Sequence, residues 1–147
     1  IANQSLGYQF KSFNLMNYME FINDEYLTLQ WNHFFKGAIF NKLPLIKKLK
    51  VREVIGLKAL AGRLSDENNP NLHPELLQFP TNSEGEKTTH LMSRTPYIEA
   101  SIGVTNIFKF LRVDLIKRLT YLEDKHELSS TFGVRGMGIK FSAKFDF

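Results

Sequence analysis

Alternation of apolar and polar residues is the strongest regularity along the chain. From Phe132 to Phe147, Met137, Ile139, Phe141, Ala143, Phe145 and Phe147 occupy one parity, and Gly138, Lys140, Ser142, Lys144 and Asp146 the other. An extended backbone turns such a pattern into one apolar and one polar face. The run YIEASIGVTN repeats it, with Ile98, Ala100, Ile102 and Val104 against Tyr97, Glu99, Ser101, Gly103 and Thr105. So does RVDLIKRLTYL, where Val113, Leu115, Leu119 and Tyr121 alternate with Arg112, Asp114, Arg118 and Thr120, and Lys117 alone breaks the apolar parity. Upstream, Leu27, Leu29, Trp31 and Phe35 alternate with Thr28, Gln30 and Asn32. Likewise, Ile55, Leu57, Ala59 and Ala61 alternate with Gly56, Lys58 and Gly62. A stretch from about Phe13 to Ile22 has strand-forming residues without a clear parity and is read as a sixth strand. No helix of more than two turns, internal repeat or linker is expected, which makes the fold all-β and antiparallel.

The connections alternate in character. In chain order they are a tight turn at Asn23-Asp24-Glu25, then NKLPLIKKLK, a polar stretch from Ser65 to Thr95, the short IFKFL, and EDKHELSST. A polar loop as long as 65–95 is unusual inside a soluble domain but ordinary on the outer side of an outer-membrane barrel, where short turns face the periplasm. If the chain ends at the periplasmic rim, the 23–25, 65–95 and 123–131 connections lie outside and the two basic, Phe-containing turns lie in the periplasm. Aromatic residues then form two girdles. Phe21, Tyr26, Tyr97, Tyr121 and Phe132 fall at the outer interface, and Phe35, Phe40, Phe108, Phe110, Phe145 and Phe147 at the inner one. The stretches between them, roughly 9 to 13 residues, suit tilted strands crossing a bilayer. The reading is a transmembrane β-barrel segment of about six strands spanning residues 1–147. Because the smallest bacterial single-chain barrels use about eight strands, the remaining strands come from elsewhere. A soluble β-rich binding module is the alternative, since alternation suits a sandwich equally well.

Composition sharpens this choice. Thirteen Phe, five Tyr and one Trp make 13% of the chain aromatic, and such a load belongs in a core, an interface or lipid. Mean hydropathy is −0.23, and no run approaches the ~18–20 apolar residues of a spanning helix, so only strands could cross a membrane. The absence of Cys removes disulfides, thiolate metal sites and a cysteine nucleophile. The net charge of +4 is mild. The chain begins at Ile1 with no basic, then apolar, leader pattern, and reads as a piece of something longer.

Candidate chemistry is sparse. No G-x-S-x-G, H-E-x-x-H, P-loop or dinucleotide fingerprint is present, and His33, His73, His90 and His126 are scattered. Neither an enzyme activity nor a cofactor or metal is expected, although catalytic groups on a preceding part of the protein remain a third possibility. Asp66, Glu67, Asn68 and Asn69 could offer oxygens to calcium but lack loop spacing, and a solvated turn is preferred. Glu99 and Asp114 share the polar parity with Arg112, Arg118, Lys140 and Lys144. In a lumen these charges neutralise one another or line a polar path. Lys47, Lys48, Lys50 and Arg52 near Phe40 lack the aromatic sheet motif of an RNA-binding surface, so no nucleic-acid partner is expected. A membrane-facing turn fits better, with apolar stems at the interface and lysines towards headgroups or water.

The segments FNLMNY, LPLIKKLK, LSDEN and NIFKFLRVDL carry a family resemblance that covers most of residues 13 to 147. They resemble the C-terminal part of large outer-membrane proteins of uncharacterised function, in which a carboxypeptidase-regulatory-like domain precedes a membrane β-barrel. More distantly, the chain is similar to BamA-type assembly and secretion barrels. The resemblance implies a strand-rich barrel end in the outer membrane of a diderm bacterium and does not extend to an activity; the reading adopted is a structural part of a barrel working in transport, secretion or envelope assembly. Its implied partners are outer-membrane lipid, the assembly machinery and the other strands of the same barrel. The last strand resembles the assembly signal of such barrels, with Phe147 as the terminal aromatic and Phe145 and Phe141 at alternate positions before it. Val134-Arg135-Gly136-Met137 echoes the VRG-aromatic motif of BamA-type barrels. It lies in the final strand with Met in place of the aromatic, so Gly136 and Gly138 are read instead as small residues permitting curvature or close approach.

Overall fold

The computed structural model describes residues 13–17, 19–35, 37–38, 40–42, 50–122 and 130–143. Five of the alternating runs become the long strands of one antiparallel sheet: β2 (Glu25–Phe34), β3 (Arg52–Arg63), β5 (Tyr97–Ile107), β6 (Leu111–Arg118) and β9 (Met137–Ala143). They pair in the order β2-β3-β5-β6-β9, each with its neighbour among the long strands in sequence, so the sheet is a simple meander. Four short pieces complete the strands. β1 (Phe21–Ile22) pairs in parallel with β4 (His90–Leu91), and β7 (Ser130–Thr131) pairs with β8 (Val134–Arg135). Among the described residues there is no α-helix, and so no helix long and apolar enough to cross a membrane.

Register gives the alternation its consequence. Lys58 lies opposite Glu99 and Glu99 opposite Arg118, while Gly103 faces Asp114 and Asp114 faces Lys140. All the polar parities therefore stack on one face. On the other, Ile55, Ile102, Leu115 and Ile139 form one continuous row across four strands, and Leu29, Ala59 and Ile98 another. A shift of one residue in any pairing would mix the two faces, so the agreement of four pairings fixes the register.

The sheet departs from the expected six strands in one respect. Residues 13–17 and 19–20 do not pair into it; they run as a strap across its polar face and end in β1. The cause is visible in the missing parity. Phe13, Leu15, Met16 and Phe21 are all buried, but so is Glu20, and the backbone N–H groups of Asn14 and Leu15 bond to a side chain rather than to a neighbouring strand. The described sheet is also open, with β2 and β9 at its edges.

Beneath one end of the strap lies the apolar core: Phe13, Met16, Phe21, Leu60, Met92 and Tyr97, with Tyr121 packed against them. Phe13 and Phe21 meet the Tyr97 ring edge-on at centroid distances of 5.3 and 5.9 Å, and Phe21 meets Tyr121 at 4.9 Å. Phe21 and Tyr97, expected as aromatic interface residues, are 2% and 0% exposed and lie in this core. Tyr97 has the parity of Glu99, and that parity is the strap-covered one. Tyr121 is half-buried, its hydroxyl donating to the carbonyl of Thr95 and accepting from the Ser93 N–H.

The long 65–95 connection is folded back on itself. Thr81 bridges Lys87, Asn82 closes a turn through Glu84 and Glu86, and β4 ties its end to the strap.

Candidate functional site

The polar face and the strap together form the most organised arrangement of charge among the described residues. Glu99, in the middle of β5, accepts from four donors. The Asn14 N–H and Asn14 side-chain amide reach Oε2 at 3.0 and 3.3 Å, while the Leu15 N–H and Tyr97 hydroxyl reach Oε1 at 2.6 and 2.7 Å. A carboxylate has about four lone-pair positions, so the strap and Tyr97 saturate it.

Next to it, Arg118 is fully buried and makes a two-pronged ion pair with Glu20 of the strap, at 3.1 and 2.5 Å. Its Nε donates to the Thr120 carbonyl, and its guanidinium carbon lies 4.8 Å from the centre of the Tyr97 ring. Glu20 also accepts from the Asn17 N–H at 2.7 Å, so the strap's own turn is closed onto the same carboxylate. A buried pair of this kind contributes little net stability, because desolvation offsets the attraction. What it does is fix position: a displaced strap leaves a buried charge without its partner.

Further along the face, Arg112 grips Asp114 at 2.6 and 2.7 Å, two residues apart on the same side of β6. Lys140 donates to the Asn14 side-chain carbonyl at 2.9 Å. Room for the strap comes from a small residue: a Cβ on Gly138 would lie 2.6 Å from Cδ2 of Leu15. Gly136, just before it, has φ +68 and its carbonyl accepts from the Arg118 N–H. The motif-like VRG stretch thus has local backbone reasons for its glycines, as the close-approach reading expects. Between strap and sheet, Asn14, Asn32, Lys58, Glu99 and Ser101 line a cleft of about 10 Å³, room for about one water molecule.

Sequence reasoning placed Glu99, Arg112, Asp114, Arg118 and Lys140 on one face, and the structure brings them together there. Lys144, with Phe145 and Phe147, lies outside the described residues. Phe141 stands on the apolar face. Of the aromatic anchors, Tyr26 is exposed at one end of β2, and Phe35 at the other end packs against His33 at 4.4 Å. The half-buried Phe40 lies in a 3₁₀ turn whose N–H bonds to Glu53, and Phe108 and Phe110 are exposed in the β5–β6 turn. Two partners were missed: Asn14 and Glu20. A lone carboxylate inside FNLMNYMEFI was the available signal, because an acid in an apolar run needs a cation if the run is buried. No group of three His, Cys, Asp or Glu among the described residues is placed to hold a metal ion.

No curated protein and no solved structure matches the chain. A family model does match residues 2–69, a little under half of the chain, including the strap, β2 and β3. Over those residues the chain is similar to the C-terminal domain of a family of unknown function, DUF5686, in keeping with the expected likeness to an uncharacterised family.

Proposed function

We propose that this chain is part of the wall of an outer-membrane β-barrel serving transport, secretion or envelope assembly, with its apolar face in lipid and its polar face towards the lumen. The observation that carries this is the inverted polarity of the sheet. Arg118 and Glu99 are 0% and 2% exposed, whereas Phe141 and Ile102 on the opposite face are 69% and 60% exposed. In water such an arrangement leaves rows of apolar side chains uncovered, and a contiguous surface of that kind marks an interface or a membrane contact. In a bilayer that surface is solvated by acyl chains, and the charged face with its strap occupies the interior.

Strand length agrees. β2, β3 and β5 have 10, 12 and 11 residues, near the ~9–11 that a tilted strand needs to cross. The edges at β2 and β9 would be unpaired in lipid, so further strands of the same barrel add there. The last strand, with Phe141 on its apolar face and Phe145 and Phe147 beyond it, is where the assembly machinery would engage.

Trp31, the chain's sole tryptophan, supplies the test because it lies on the apolar side of β2. The full-length protein is folded into vesicles with and without brominated acyl chains, and the Trp31 emission is isolated by difference from Trp31→Phe. Strong quenching by the brominated chains is expected. Unquenched emission would overturn the membrane reading in favour of the soluble binding module.

A further inference from the structure

The two ends of the sheet carry opposite chemistry, and one of them is built to meet a phosphate-bearing surface. At the end where β3 begins and β5 turns into β6, Lys42, Lys50, Arg52 and Lys109 are exposed, together with Phe108 and Phe110. The two turns are joined: the Asn106 side-chain amide donates to the Lys50 carbonyl at 2.7 Å, and Asn106 in turn accepts from the Lys109 N–H. At the opposite end, the exposed carboxylates Asp24, Asp66, Glu67, Glu75, Glu84 and Glu86 outnumber the basic residues.

The backbone at the basic end is unusual. Lys50, Asn106, Phe108 and Lys109 all have left-handed conformations, with φ of 53, 66, 50 and 77. Bulky residues rarely adopt this region, and glycine would relieve all four positions. A turn that keeps Phe and Lys there retains side chains that glycine would lose. The combination of ring and ammonium suits the boundary of a bilayer, where the ring sits at headgroup level and the lysine faces phosphate.

We infer that this end of the sheet is a docking rim for the headgroups of anionic phospholipids, with Lys50 and Lys109 as the principal contacts and Phe108 as the wedge between them. The inference rests on the membrane reading for the adjoining apolar face, and adds to it a lipid class and an orientation. The acidic end with the 65–95 connection points away from the anionic leaflet.

The experiment measures partition of the full-length protein from detergent into phosphatidylcholine vesicles, with and without phosphatidylglycerol, by flotation at low salt. Wild type should prefer the anionic vesicles. Lys50→Gln and Lys109→Gln should each reduce that preference about fivefold, and Arg94→Gln, at the acidic end, should leave it unchanged. Preference retained in the double variant, or no preference in wild type, overturns the rim. Insertion into both vesicle types alike would sink the rim and leave the membrane reading standing. Lysine-dependent binding to anionic vesicles alone, without entry into phosphatidylcholine, would support the rim and sink the membrane-spanning reading.

Discussion

One residue separates two different worlds along β5. Glu99 is saturated by donors from the strap and Tyr97, while its neighbours Ile98 and Ala100 belong to an apolar surface with no described segment over it. The difference teaches that burial here follows available partners rather than hydrophobicity. Charges such as Glu99 and Arg118 are inside because Glu20, Asn14 and Tyr97 satisfy them, and the aliphatic rows are outside because the strap that covers the sheet lies on the other side.

The largest effect should come from breaking the covered face. Arg118→Met leaves the Glu20 carboxylate buried with no cation, and should lower unfolding stability by about 3–5 kcal/mol. Adding Glu20→Gln should recover a good part of that loss in denaturant titrations. A loss under about 1 kcal/mol would mean that the strap is free to carry Glu20 into water, and the contrast between faces would collapse.

Next in size is a test of the uncovered face using two adjacent residues of β2. Leu29→Arg, on the apolar side near mid-strand, should cost about 2–4 kcal/mol in bilayers, and Thr28→Arg, on the polar side, much less. Equal effects would contradict either the register or the lipid contact. A smaller change sharpens how closely the strap fits. Gly138→Ala drives a methyl into Leu15 and should cost about 1–3 kcal/mol. Leu15→Ala in the same background should then be far less harmful than alone, a coupling that a double-mutant cycle reads directly.

The smallest expected effect concerns a contact outside both faces. Hydrogen bonds from the side chains of Asn68 and Ser65, and from the Ser65 N–H, hold the Asp24 carboxyl well below the usual carboxylate range. A depressed folded value makes the junction fully stabilising above the unfolded value near ~3.9, and progressively weaker as pH falls through it. Amide exchange at Ser65 and Asn68, taken relative to its intrinsic rate at each pH, should therefore accelerate on acidification. In Asp24→Asn it should be faster at neutral pH and lose most of this acid dependence.

Five strands and their faces were legible because alternation is a local signal, and Ile98, Ile102, Leu115 and Ile139 each declare their side by parity alone. The strap was not legible as such. Its hydrogen-bonding partners on the sheet lie 84 to 126 residues away in sequence, and nothing near Asn14 or Glu20 announces Glu99, Arg118 or Lys140. Lys117 was read as a blemish on the apolar parity. It does lie on that side, half-buried, with its ammonium donating to the Arg135 carbonyl at 2.6 Å, so the long stem stays among apolar neighbours while the head finds a backbone partner.

The parallel pairing of β1 with β4 makes the strap and the long connection a single mechanical unit. Phe21 and Ile22 are registered against His90 and Leu91, and the His90 N–H bonds to the carbonyl of Glu20 at 2.8 Å, the residue whose side chain clasps Arg118. Force applied along the 65–95 connection is delivered in shear through β4 to that ion pair.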